Sequence, residues 1–454
     1  MLSLALAANL APNLVVIFVD DMGIGDLSCY GQKAYKTPNL DRMAREGVRF
    51  TDFYVASPAC TPSRAALLTG CYPTRIGLPQ VINPDSKIGL NPDETTIAEV
   101  AKSKGYKTAI FGKWHLGVGN LMPRTHGFDE FYGIPYSHDM WPPNKNGTWP
   151  PLFVFNDETQ EREIKTLDDQ AELTNQFTEK TLNFISRNRS NPFFVYLPLN
   201  QPHVPIAPSP KFLGKSKAGL YADQILEIDD TVGRILNHLK KLKLDRKTMV
   251  MFSSDNGPWL PYGNHAGSAG IYREGKGTTF EGGFREPGIF WMPGTLPAGK
   301  VQTEMASTMD ILPTFAALIG AEPPEKEIDG HNIMPLLKCE EGARTPWKWM
   351  YYFWPAELQA VRSGDWKLHV PHSHRHQNHP VGKDGKPAGE TTEKHDLALY
   401  NLEDDPSETK NLAADHPEIV VRLTRLFSIG RNELGDALTK SIGGSNRAPG
   451  TVKL

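Results

Sequence analysis

The chain has 454 residues, of which 39% are hydrophobic and 22% charged, with a formal net charge of −3. This composition is typical of a globular protein and excludes the disordered and fibrous classes. The near-neutral charge gives no basic field, which argues against nucleic acid as a partner, so small anions are expected at a local site. The length predicts one large domain and one smaller domain.

The N-terminal residues 1–10 are apolar and end in small side chains, as the tail of a secretory signal does, but they lack a basic segment. They are also too short to span a membrane. We interpret them as a residual signal or a disordered terminus. A residual signal would place the protein in a secreted, periplasmic or lysosome-like location, whereas the four cysteines do not identify the compartment.

Short apolar runs alternate with amphipathic stretches, which predicts an α/β fold: a mostly parallel sheet with helices on both faces. In chain order the pattern predicts a strand over 14–19, helices over 39–46 and 96–104, a strand over 108–111, a helix near 168–187, a strand over 193–199, a helix near 221–242 and a strand over 249–253.

A helix is also expected to begin at the motif that runs from Cys60 to Arg64. Pro62 suits a first helical turn, and the following Ala-Ala-Leu-Leu run propagates a helix. Cys60 would then lie at a helix N-terminus, where free amides and the helix dipole attract an anion that Arg64 can also reach. A buried structural cysteine is the alternative.

Polar residues follow four of the predicted strands, namely Asp20 and Asp21, Lys113 and His115, His203, and Asp255 and Asn256. Ligands of open α/β sheets bind at the carboxyl ends of the strands, so these groups are expected at one edge. The acidic and amide groups offer oxygen ligands, which suit calcium or magnesium rather than zinc. We expect Gly23 and Gly25 to let the backbone turn both aspartates towards one ion; ordinary polar loops are the alternative.

The composition changes after Gly330, where aromatic residues crowd together and a strand-like segment covers 359–370. We divide the chain into a catalytic domain over 11–345 and a C-terminal subdomain over 346–454. A histidine-rich insertion over 369–389 contains His372, His374, His376 and His379. A solvated loop is favoured there over a metal-binding tract.

The motifs resemble those of the formylglycine-dependent sulfatases of the alkaline phosphatase superfamily, in the branch of arylsulfatase A and N-acetylgalactosamine-6-sulfatase. The resemblance covers nearly the whole chain and is carried by the segments 20–23, 37–41, 60–70, 112–117, 133–139, 254–257, 275–283 and 285–287. It implies a large mixed, mostly parallel sheet between helices and a smaller C-terminal α+β subdomain with an antiparallel sheet. It also implies that a formylglycine-generating enzyme oxidises Cys60 to an aldehyde.

The resemblance further implies a role for each matching residue. Calcium would be held by Asp20, Asp21, Asp255, Asn256 and an oxygen of modified Cys60. Arg64 and Lys113 would hold the aldehyde hydrate and the sulfate, and Ser137, His203 and Lys276 would also bind substrate. A hydroxyl of the hydrate would attack sulfur, His203 or Lys276 would protonate the leaving alcohol, and His115 would accept the proton whose loss releases sulfate.

Two other functions stay open from the sequence: a phosphonate or phosphodiester hydrolase, and a non-catalytic, calcium-dependent binder of sulfated glycans with an unmodified Cys60. The expected partner is a sulfated saccharide or small molecule, with aryl sulfates as surrogates. We expect the loops over 137–150, 259–273 and 369–389 to select it.

Overall fold

A computed structural model describes residues 11–144, 147–378 and 380–453. Residues 1–10, interpreted above as a signal remnant or disordered terminus, and His379 lie outside this part of the chain. Within it, no helix combines the length and apolar character needed to cross a membrane. The four cysteines form no disulfide among the described residues.

The strands are β1 (Asn13–Val19), β2 (Val48–Phe50), β3 (Phe53–Tyr54), β4 (Ile88–Gly89), β5 (Lys107–Lys113), β6 (Glu130–Ile134), β7 (Leu152–Asn156), β8 (Thr159–Ile164), β9 (Phe193–Pro198), β10 (Thr248–Ser254), β11 (Gly288–Trp291), β12 (Lys300–Gln302), β13 (Ala306–Ser307), β14 (Met350–Phe353), β15 (Leu358–Ser363), β16 (Trp366–His369), β17 (His372–Gln377), β18 (Glu390–His395), β19 (Ala398–Asn401) and β20 (Gly450–Thr451). The α-helices are α1 (Pro38–Glu46), α2 (Cys60–Thr69), α3 (Ile97–Ser103), α4 (Leu167–Ala171), α5 (Leu173–Arg187), α6 (Leu220–Lys241), α7 (Glu281–Phe284), α8 (Ile311–Leu318), α9 (Met334–Leu337) and α10 (Pro417–Leu434).

Ten strands form one mixed sheet in the order β12-β2-β11-β10-β1-β9-β5-β6-β7-β8. The strands from β10 to β6 in this order are parallel, and β11, β7 and β8 run antiparallel to their inner neighbours. Alternate side chains of β1 enter two buried clusters: Val16 joins Leu67 of α2 and Phe315 of α8, whereas Val15 joins Ile235 of α6. The predicted sheet with helices on both faces is confirmed.

Two predicted elements differ from the observed ones because a local break divides each of them. The helix predicted near 168–187 is two helices, α4 and α5, that meet at Glu172. The strand-like segment over 359–370 is the antiparallel pair β15 and β16, which reverses beside Gly364 in a left-handed conformation (φ 61°).

The C-terminal part contains a four-stranded antiparallel sheet, β14-β15-β16-β19, on which α10 packs. Its apolar side chains share one buried cluster with residues from elements that flank the large sheet, including Tyr54 of β3 and Phe284 of α7. The expected fold, including the smaller α+β region with an antiparallel sheet, is therefore confirmed. Because the shared cluster is buried and continuous, this region packs firmly against the large one.

The histidine-rich insertion is not a solvated loop as expected. Strands β17 and β18 pair antiparallel, and His372 and His374 are buried while the alternate residues face outward. His372, His374, His395 and His369 pack around one another and around the ring of Phe280, with centroids 5.0–6.1 Å apart. Tertiary packing against Phe280 accounts for the burial, which composition alone did not indicate.

Candidate active site

The predicted functional groups meet at the carboxyl ends of four adjacent parallel strands, β10, β1, β9 and β5. Asp255 and Asn256 follow β10, Asp20 and Asp21 follow β1, His203 follows β9, and Lys113 ends β5 with His115 just beyond. Within the described residues, Asp20, Asp21, Cys60 and His203 form a cluster whose candidate ligand atoms all lie within 4.8 Å of one another. The sheet thus assembles residues that are far apart in sequence.

The two aspartates after β1 turn inward for a reason that differs from the expected one. Asp21 itself adopts the left-handed conformation, with φ at 62°, a region that aspartate tolerates better than most residues. Gly23 is needed instead for close packing, because a Cβ there would lie 2.2 Å from the carbonyl oxygen of Ser268. The expectation that Gly23 and Gly25 supply the turn was wrong.

Three cations compensate the three buried carboxylates. Lys276 Nζ donates to both carboxylate oxygens of Asp21 at 2.7 and 2.8 Å, and Arg64 donates to Asp255 through Nε and Nη2 at 3.0 and 2.7 Å. Burial opposes ionisation of Asp20, but Lys113 and Arg64 hold its pKa well below its ordinary value. Asp20 therefore remains a carboxylate at neutral pH.

Cys60 is the first residue of α2, with its thiol inside this charged cluster. The thiol lies 3.3 Å from Asp20 Oδ1, and Lys276 Nζ lies 3.5 Å from Sγ. Burial raises the pKa of the thiol well above its ordinary value, and the charge of Asp20 adds to the increase. As a cysteine, residue 60 is therefore a protonated and weak nucleophile.

Lys113 connects the cluster to the segment that follows β6. Its Nζ donates to Asp20 Oδ2 at 2.5 Å and to Ser137 Oγ at 3.0 Å. The desolvation cost would lower the pKa of Lys113, but the neighbouring Asp20 charge raises it overall. The ammonium group is therefore retained in a fully buried position, where it can oppose a bound oxyanion.

His115 is held as a neutral imidazole with one free ring nitrogen. Its Nε2 lies 2.9 Å from the carbonyl oxygen of Ile82, which can only accept, so Nε2 carries the proton. Nδ1 is buried and has no hydrogen-bond partner among the described residues. Burial and the charge of Lys113 lower the pKa of His115 well below its ordinary value. The Nδ1 lone pair is thus available to accept a proton.

His203 has the opposite arrangement. Its Nδ1 lies against the carbonyl oxygen of Val204 at 2.5 Å, and its Nε2 lies 3.4 Å from Asp21 Oδ2. The rings of Trp259 and His138 flank it, each with its centroid 5.4 Å from that of His203. Each ring nitrogen of His203 therefore lies near an acceptor oxygen.

The donor set fits a hard cation at this cluster. Asp20, Asp21 and Asp255 supply carboxylate oxygens, and Asn256 Oδ1 is a buried oxygen left without a partner in the described structure. Asn256 Nδ2 is bound to Asp21 Oδ1 at 2.8 Å, which aims the amide into the cluster. Such oxygens are the ligands that calcium and magnesium prefer.

A cavity of about 160 Å³ opens beside Cys60. It is lined by His115, Ser137, Asp139, Met140, His203, Trp259, Lys276, Gly277, Trp354 and Arg375, among others. The three segments expected to select the substrate all contribute to it, through Asp139, Trp259 and Arg375. Sequence reasoning assigned no functional role to Asp139, Trp354 or Arg375, because only the folded chain brings these segments together.

Two family models cover most of the chain: the sulfatase model matches residues 12–321, and the model for the C-terminal region of aryl-sulfatase matches residues 345–440. The chain belongs to the sulfatase family. This sulfatase is 39% identical to arylsulfatase A of Bos taurus over 447 residues, which cover 92% of this chain and 87% of that protein. It is 40% identical to N-acetylgalactosamine-6-sulfatase of Sus scrofa over 377 residues, 79% of this chain and 71% of that protein.

The structure of the PsFucS1 sulfatase from Pseudoalteromonas sp. superposes with a TM-score of 0.84 at 28% identity, covering 94% of this chain and 93% of that one. The predicted family is therefore confirmed, and the sulfatase is a hydrolase that acts on sulfate esters.

Proposed function

We propose that this sulfatase cleaves sulfate esters of saccharides through a formylglycine derived from Cys60, with aryl sulfates as surrogate substrates. The observation that carries the proposal is the position of Cys60, whose protonated thiol lies among Asp20, Lys113 and Lys276 where an attacking oxygen is needed. The hydrate of the aldehyde would supply one hydroxyl for attack on sulfur and a second hydroxyl whose deprotonation permits release of sulfate.

The chain supplies the cations that bind the sulfate. Lys113 and Lys276 point their ammonium groups at the Cys60 side of the cluster, and Ser137 fixes Lys113 from the other side. These groups are buried, so their interaction with the negative oxygens of the ester is weakly screened. Arg64 donates two hydrogen bonds to Asp255, which hold that carboxylate in place, and it adds positive charge to the cluster.

Two histidines divide the proton transfers. His115 offers an unprotonated Nδ1 and would accept the proton of the second hydroxyl. His203 faces Asp21 and the cavity, where it would donate a proton to the departing alcohol, with Lys276 as the other donor. Acid–base assistance of this kind contributes roughly a hundred- to ten-thousandfold to rate.

We propose calcium, or alternatively magnesium, as the resident cation. Asp20, Asp21, Asp255, Asn256 and an oxygen of modified Cys60 would hold it. The cation would withdraw charge from the bound oxygens and lower the pKa of a coordinated hydroxyl. Chelation should abolish sulfate release, and titration with Ca²⁺ or Mg²⁺ should identify the ion that restores it.

The saccharide preference is supported by the relative named N-acetylgalactosamine-6-sulfatase and by the polar side chains of Ser137, Asp139 and Arg375 in the cavity wall. Protein isolated from its native source should show, at the peptide that contains Cys60, exchange of sulfur for oxygen with loss of two hydrogens. That material should release sulfate from sulfated saccharides. An intact thiol in native, active protein would contradict the formylglycine proposal.

The same material discriminates the other two functions. A phosphonate or phosphodiester hydrolase would cleave an aryl phosphonate diester faster than the matching aryl sulfate. A glycan binder would retain the Cys60 thiol, bind sulfated saccharides in the presence of calcium and release no sulfate.

A further inference from the structure

Among the described residues that line the cavity, Arg375 is the cation that the proposed reaction does not use. It lies on β17, in the C-terminal region, and its guanidinium reaches across to the catalytic layer. A Cβ placed on Gly277 would lie 3.6 Å from Arg375 Nη1, so the guanidinium lies over the residue next to Lys276. Arg375 therefore faces the substrate cavity beside the proposed nucleophile.

The guanidinium of Arg375 is largely unengaged. Its carboxylate neighbour is Glu390, 3.8 Å away and beyond hydrogen-bond distance, and its side chain is 48% exposed. In the described structure it donates no hydrogen bond, although a guanidinium has five donor hydrogens. Arg64, in contrast, is fully buried and bound to Asp255 through two nitrogens. Arg375 thus has donors free for a ligand.

The hairpin β17–β18 holds Arg375 in place from both ends. At its base His374 packs on Phe280 and His372 packs on His374, so Arg375 lies on the opposite face of the strand. At its tip the backbone of Gly382 and Ala388 donates to the carbonyl oxygen of Pro261 at 3.0 and 2.8 Å. Pro261 lies in the segment that also carries Trp259, so the hairpin and that segment form one wall.

Asp139 gives the cavity a second, opposite charge. Its Oδ1 is buried and has no hydrogen-bond partner in the part of the chain described. Burial opposes its ionisation, but the neighbouring His203 and Ser137 keep the pKa of Asp139 below its ordinary value. A carboxylate there would repel a second anionic group and accept from a hydroxyl, so an additional anion on the substrate is directed towards Arg375.

We propose that Arg375 binds a second anionic group, a carboxylate or another sulfate, on the alcohol that carries the scissile sulfate. The preferred substrates are then acidic or multiply sulfated saccharides. This inference rests on the proposed function, because it assigns the substrate class of the same site. Arg375 is a specificity determinant and takes no part in breaking the sulfur–oxygen bond.

The test compares two pairs of substrates that differ by one anion. The aryl pair is 4-nitrophenyl sulfate and 5-sulfooxy-2-nitrobenzoate, which adds a carboxylate beside the nitro group. The saccharide pair is N-acetylgalactosamine 6-sulfate and N-acetylgalactosamine 4,6-disulfate. At fixed ionic strength, the native enzyme should favour the more anionic member of at least one pair by about tenfold in kcat/KM, mainly through KM.

Arg375→Ala should remove this preference and leave turnover of 4-nitrophenyl sulfate within about twofold of the native value. Arg375→Lys should retain part of it, because the charge remains while the bidentate fork is lost. Lys394→Ala is the matched control, since Lys394 lies on the neighbouring strand of the hairpin and does not line the cavity. It should keep the full preference.

Three results would overturn the proposal: a native enzyme indifferent to the second anion in both pairs, an Arg375→Ala variant that keeps the preference, or one that slows both members of a pair equally. The last result would indicate that Arg375 binds the transferred sulfate. Each of these leaves hydrolysis of 4-nitrophenyl sulfate by the native enzyme intact, whereas failure of that hydrolysis would reject the proposed function itself.

Discussion

The catalytic cluster buries charged groups, whereas the hairpin beside it buries neutral rings. At the strand ends, the buried side chains of Asp20, Asp21 and Asp255 are bound by Lys113, Lys276 and Arg64, and the pKa of Asp20 stays well below its ordinary value. In the hairpin, His372 and His395 pack as neutral rings, because burial lowers their pKa values to about 4 and about 3. The first region stabilises charge for chemistry, whereas the second avoids charge so that it can pack.

The largest expected effect concerns the cluster. Cys60→Ser should lower sulfate release from 4-nitrophenyl sulfate by at least about a thousandfold, because a serine cannot provide the second hydroxyl. Cys339→Ser, at a half-buried cysteine distant in sequence from the site, is the matched control and should stay active. Steady-state kinetics of both variants would measure this, and substantial activity of Cys60→Ser would contradict the formylglycine proposal.

Exchanging the same residue type in each region sharpens the comparison. His115→Gln should lower kcat by about a hundred- to ten-thousandfold, because the free Nδ1 that accepts a proton is lost. A stoichiometric burst of nitrophenol should remain, since the first half of the reaction does not need this base. His376 lies on the hairpin, where its ring contacts Glu274, and His376→Gln should change kcat little. Loss of the burst in His115→Gln would place His115 in the first step instead.

Acid should destabilise the hairpin. The folded pKa values of His372 and His395 lie below the ordinary value near 6.5, so the unfolded chain binds protons first as the pH falls. Their contribution to stability is complete above about pH 6.5 and is lost progressively towards pH 4. For the well-buried His372 the slope is at most about 1.4 kcal/mol per pH unit, and solvent reduces it for the half-buried His395.

Denaturant unfolding at pH 7.5, 6 and 5 would measure this slope. The triple variant His372→Gln, His374→Gln and His395→Gln should flatten it. The charged groups around the rings are Arg273 and Lys367, which oppose protonation of the histidines, and Glu408, whose Oε1 lies 3.0 Å from His369 Nε2. An unchanged slope in the triple variant would show that other groups determine the acid sensitivity.

The smallest expected effect is at the contact between Ser137, in the cavity wall, and Lys113, in the cluster. Ser137→Ala removes one hydrogen bond to Lys113, which Asp20 still holds. We expect kcat/KM for 4-nitrophenyl sulfate to fall between about threefold and tenfold. A loss as large as that of His115→Gln would mean that Ser137 contacts the reacting atoms directly.

The residues of the cluster could be predicted from the sequence because local patterns identify them. A polar group directly after a buried strand, as at Asp20 or Asp255, has a position that the parallel sheet determines. The hairpin gave no such signal. Whether His372 is solvated or buried depends on its packing against His369, which stacks on Phe280, a residue distant in sequence. Whether Arg375 faces a cavity depends on how the C-terminal region docks. The local backbone conformation could not be predicted either: Asp21, and not a glycine, adopts the left-handed conformation after β1.

The two ends of the hairpin leave the C-terminal region side by side, since His372 pairs with His395. A segment with adjacent ends can be exchanged as a unit while the strand ends that hold Cys60 and its partners stay unchanged. The hairpin is thus suited to transplantation between sulfatases. Grafting it, together with a residue that matches Phe280, should move the proposed preference for acidic substrates without rebuilding the catalytic centre.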